Sequence, residues 1–122
     1  MIASSTMEKA EILKFLENIS KYLAEFEKSD IPTTRRSYCI NIRSTIVRLL
    51  SVATNPMTKN LLKQVFLFAH RLQMLESPGK IREFASYVAS RFKSRFKRIE
   101  NNLILIRLCL VYLKDRAQKN EF

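Results

Sequence analysis

Apolar residues recur at intervals of three and four along most of this chain, and alternation of period two is nowhere sustained. The pattern therefore predicts helices and no strands. Between residues 6 and 28 the row Ile12, Phe15, Ile19, Tyr22 and Phe26 defines one inward stripe, with Glu11, Glu17, Lys21, Glu25 and Lys28 left to solvent. The stretch KSDIPTTRRS ends this helix, because Pro32 has no backbone donor and restricts the residue before it. A second stripe, Cys39, Ile42, Ile46, Leu49 and Ala53, is widened by Ile40, Val47 and Leu50 and stops at TNPMT. Asn55 or Thr58 then caps a third helix carrying Leu61, Leu62, Val65, Phe66, Phe68, Ala69, Leu72 and Leu75. Its apolar residues cover much of the circumference, which predicts a central position.

A fourth helix is predicted to start at ESPGK, with Ser77 as N-cap and Pro78 in the first helical position. From Lys80 onward there is neither Gly nor Pro, and the row Ile81, Ala85, Val88, Phe92, Arg95, Ile99, Leu103, Ile106, Leu110 and Leu113 advances in steps of four and three. One long continuous C-terminal helix, or two joined near Asn101 and Asn102, both satisfy this row. Residues 103–113 are apolar nearly all round, so they are expected to be buried, which favours the break. The fold class is all-α: a compact four- to five-helix bundle forming a single domain over 1–122. It comprises an acidic N-terminal helix (6–28), a core bundle (34–98) and an additional C-terminal helix (99–118).

The segment ASRFKSRFKR, Ala89 to Arg98, threads five cations around two rings. At about 100° per residue, Ile81, Phe84, Ala85, Val88, Ala89, Phe92, Phe96 and Ile99 share one arc of about 140°. Arg91 and Arg95 lie beside one edge of that arc, Lys93 and Lys97 beyond the other, and Arg98 on the outer side. Phe92 and Phe96 are thus expected in the core, since each ring left out would forgo roughly 1.5–3 kcal/mol of burial. The cations are left to hold phosphates or an acidic peptide.

Charge changes the picture from fold to partner. The net charge is +11, but residues 1–30 hold six acids and four bases, whereas 31–122 hold five acids and eighteen bases. A body this basic attracts polyanions, whether nucleic acid, an anionic membrane or an acidic peptide, without selecting among them. The acidic first helix can neutralise part of it. The chain is 47% hydrophobic, with one Gly and three Pro in 122 residues, which suits a packed single domain.

Chemistry for catalysis is sparse. His70, the one histidine, sits among Phe68, Ala69 and Leu72 and is expected to be packed or at a boundary. Acids are scarce after Asp30, and one Gly cannot build a phosphate-binding loop, so the chain is read as no enzyme, with no cofactor and no metal. Cys39 and Cys109 are far apart and lack metal or redox spacing, so buried free thiols are expected. The N-terminus lacks a secretory pattern, and the apolar run LILIRLCLVYL has eleven residues and contains Arg107, too short to span a bilayer. A soluble intracellular protein is expected.

From the second helix onward, Leu49–Leu50, then Pro56–Met57–Thr58, then Leu72, then FASYVASRFK (Phe84 to Lys93) follow one another in an order that resembles the N-terminal domain of transcription elongation factor TFIIS. The same helical module occurs in elongin A, a Mediator subunit and the integrase-binding domain of lens epithelium-derived growth factor. This chain differs from the family pattern in having Phe92 where a Trp is usual, no glycine between the middle helices, and an additional helix after Ile99. The resemblance implies a nuclear, transcription-related scaffold that binds disordered motifs of acidic and hydrophobic residues. It places the docking site on the loop between helices two and three, at Pro56, Met57, Thr58, Lys59 and Lys63, with Lys80 and Arg82 at the next helix start. Without the resemblance, Arg91, Lys93, Arg95, Lys97 and Arg98 form a polyanion-binding set for the phosphates of DNA or RNA, and the long C-terminal row allows self-association.

Overall fold

The computed structural model describes residues 7–76 and 89–122, with side chains from Phe96 onward in the second stretch. Four helices lie among the described residues: α1 (Lys9–Lys28), α2 (Pro32–Val52), α3 (Pro56–Leu75) and α4 (Ala89–Gln118). The predicted start of a helix at Ser77 and Pro78 lies outside them.

Proline marks the helix starts more than the ends. Pro32 and Pro56 each occupy the first turn of the following helix, where the missing donor would have had no intrahelical acceptor. Asn55, one of the two predicted caps, accepts the Met57 N–H through Oδ1 at 2.8 Å. Thr58 does not act as the cap; it lies inside the first turn and is buried.

Each helix is antiparallel to its neighbours. Connections of three residues join α1 to α2 and α2 to α3, and α1 closes on α4, so the four helices form a ring around one core. α3 is accordingly one wall of four and does not take the central position expected of it. The second stripe is buried as expected: Cys39, Ile42, Ile46, Leu49 and Ala53 all lie in the core. In α1 the deep positions are Ile12, Leu16, Ile19, Leu23 and Phe26, while Phe15 and Tyr22 are half-buried at the edge. There Arg48 lies over the Phe15 ring at 5.2 Å and Tyr22 sits 6.4 Å from Tyr38. Ile40 and Val47, expected to widen the α2 stripe, remain exposed.

α4 passes through Asn101 and Asn102 without the favoured break. The physical reason is local: Asn102 is buried and its amide donates back to the Arg98 carbonyl at 2.8 Å, one turn earlier, so the side chain follows the helix. The core face of α4 is Ile99, Leu103, Ile106, Leu110, Leu113 and Ala117, packed between α1 and α3.

The helix then ends in a Schellman turn. Asn120 has φ 59°, the left-handed conformation that Asn tolerates better than most residues, and the Glu121 and Asn120 N–H groups return to the Arg116 and Ala117 carbonyls. This reversal carries Phe122 into the core beside the start of α3.

Candidate functional site

Residues 103–113 are apolar nearly all round, but only half of that circumference is buried. Ile104, Leu105, Leu108, Val111 and Tyr112 stand between 40 and 65% exposed on the side of α4 turned away from the core. Their spacing of one, three, three and one keeps them in a single row over two helical turns. The expectation of full burial is corrected here: α1 and α3 flank α4 and leave its outer face to solvent. Protein–protein contacts commonly use contiguous exposed apolar surface.

The two borders of the row differ electrically. Towards α1, Arg107 pairs with Glu27, and Lys114 meets Glu17 and Ser20, each at 3.2 Å. α1 thus neutralises cations of α4, as its acidic composition suggested. Towards α3, Arg98 shares a cleft of about 420 Å³ with His70, Arg71, Met74, Leu75 and Asn102. Arg71 lies over the Phe68 ring at 5.7 Å, and Arg98 holds no acid among the described residues. This border keeps its positive charge.

The predicted docking corner is only partly open. Pro56, Met57, Lys59 and Lys63 are exposed around the first turns of α3. Thr58 is buried, and its hydroxyl donates to the Glu121 carbonyl at 3.3 Å. The Thr54 and Asn55 N–H groups donate to the Phe122 carbonyl at 3.2 and 3.1 Å. The chain's own residues therefore cover the inner side of this corner, and Thr58 packs beneath it. The reason is that the first N–H groups of a helix need acceptors from elsewhere, and the turn at Asn120 supplies one. Lys80 and Arg82 lie outside the described residues.

Of the polyanion-binding set, Lys97 and Arg98 are exposed, and the side chains of Arg91, Lys93 and Arg95 lie outside the described residues. Phe92 does too. Phe96 is 63% exposed, not in the core. It lies beyond the end of the α1–α4 seam: Glu27, in the last turn of α1, pairs with Arg107, about three turns further along α4. Among the described members of the two predicted sets, Lys59 and Lys63 stand at the opposite end of the bundle from Lys97 and Arg98.

His70 is exposed and lines the α3–α4 cleft, which corrects the packed alternative of the two expected for it. Cys39 is buried and Cys109 half-buried, both as free thiols. Burial first, and then the Glu76 carboxylate, push the Cys39 thiol up to about 12, against the opposing pull of Arg35 and Arg43. Burial also raises Cys109. Among the described residues no three His, Cys, Asp or Glu side chains gather to hold a metal, and no helix is long and apolar enough to cross a membrane. No family model, curated protein or solved structure matches this chain.

Proposed function

We propose that this chain is a non-catalytic helical protein-interaction module whose docking surface is the outer face of α4. The observation that carries this reading is the exposed row Ile104, Leu105, Leu108, Val111 and Tyr112, set on a rigid helix whose opposite face is locked into the core. Apolar anchors on such a row supply affinity, and the basic border beside them steers an acidic segment in. The transcription-related, nuclear setting belongs to this proposal only through the likeness to the TFIIS module. A photo-crosslinking residue placed at position 108 is expected to capture a different protein in cells. Adducts confined to nucleic acid, or to a second copy of the chain, would refute the reading.

A second reading, a basic protein that contacts nucleic-acid backbone, is favoured by Lys97 and Arg98 standing exposed without acids among the described residues. With Arg91, Lys93 and Arg95 included, neutralising about five phosphates gives a log–log salt slope of roughly −4.5 on duplex DNA. Failure to retain DNA at low salt removes it.

A further inference from the structure

The fold already contains one helix that recognises α4 by charge. α1 lies antiparallel along it, placing Ile19, Leu23 and Phe26 in the shared core while Glu17 and Glu27 meet Lys114 and Arg107. That contact uses one flank of α4 only. On the other flank the apolar row continues to solvent, and beyond it Arg98 and Arg71 border the α3–α4 cleft. The same recognition elements, an apolar stripe edged by cations, are present a second time without a partner among the described residues.

Building on the interaction-module reading, we infer that the outer face of α4 receives a second acidic amphipathic helix, supplied by another protein. Its apolar stripe lies on Leu105, Leu108 and Tyr112, and its carboxylates face Arg98 and Arg71. A helix laid in a groove needs an apolar row of about two turns and a rim that fixes its direction, and this surface has both. Charge argues against a second copy of this chain. Each copy carries +11, and a two-fold about Leu108 would set Lys97 against Lys119 twice, while Asp115, beside the row, is held by Lys119 at 3.1 Å.

The test uses two fluorescein-labelled, helix-forming peptides of eighteen residues that share one leucine stripe and differ only in flanking Glu or Lys. Fluorescence anisotropy with the full chain is expected to show binding of the Glu peptide at least tenfold tighter than the Lys peptide. Leu108→Asp and, independently, Tyr112→Asp should each weaken the Glu peptide about tenfold, and Arg98→Glu about fivefold. Both apolar positions are more than half exposed, and circular dichroism checks that the variants stay folded. Equal affinity for the two peptides, no binding of either, or binding untouched by both aspartates would overturn the inference. So would sedimentation showing a dimer that Leu108→Asp dissolves, or Leu108-dependent binding to vesicles of phosphatidylserine and phosphatidylcholine. If the peptides fail while the position-108 crosslink still captures another protein, the partner helix is wrong and the module reading stands.

Discussion

At the residue scale, the N-terminal half of α2 carries unusual cost. Arg35, with 17% of its side chain exposed, lies 4.1 Å above the Phe26 ring and 3.3 Å from the Glu76 carboxylate, which is 4% exposed. One turn pair further along, Arg43 donates to Gln73 at 2.6 Å and covers Phe66. Removing one member of such a pair leaves the other charge stranded away from water. Glu76→Ala should therefore lose about 3 kcal/mol in urea unfolding, far more than Glu25→Ala, whose partner Lys28 is exposed. Cys39 adds a pH term of definite sign. Its thiol is held at about 12 in the fold against 9.0 as the ordinary value, so the unfolded chain loses that proton first. Stability is unaffected by Cys39 below about pH 9 and falls as pH climbs from there towards 12. At pH 10.5 the loss should be about 2 kcal/mol, and Cys39→Ala should abolish that share of the pH dependence in parallel urea titrations.

At the element scale, the start of α3 depends on a segment more than sixty residues away in sequence. Phe122 is buried and its carbonyl accepts two N–H groups, while Thr58 reaches the Glu121 carbonyl. Removing residues 121–122 should cost about 3 kcal/mol from the lost burial and hydrogen bonds together. Hydrogen exchange should speed up first at Thr54 and Asn55. If those two amides stay protected, the tail is not what holds them. None of this was legible in the sequence, since backbone carbonyls leave no side-chain signature and QKNEF reads as a polar end. The helices themselves were legible where one face is polar. α2 shows it best, with its five predicted stripe residues all buried. α1 was read one position off at Phe15 and Tyr22 because Leu16 and Leu23 make a second, adjacent apolar row, and the leaner aliphatic row fits the interior. α4 defeated the same method: where both faces are apolar, periodicity cannot say which is inside, so the exposed row was taken for core. Phe96 failed for a different reason, because a helical wheel carries no information about where the facing helix ends.

At the scale of the whole molecule, the four described helices meet along four seams, and the seam between α1 and α4 joins the two extremes of the chain. Glu17 and Lys114, which meet across that seam, are 97 residues apart. It is the contact with the largest loop-closure entropy, and long separations of this kind slow folding more than they lower stability. The ring geometry also sets the beginning of α1 and the end of α4 side by side, because the two helices are antiparallel neighbours. A circular permutant that runs from α4 through a short linker into α1, and opens in the three-residue connection before Pro32, would turn the slowest seam into a local hairpin. Stopped-flow refolding should be several-fold faster than for the natural order, with the urea midpoint little changed; equal or slower refolding would mean that the α1–α4 seam is not formed last. The order in which this chain threads its four walls is thus a kinetic choice as much as an architectural one.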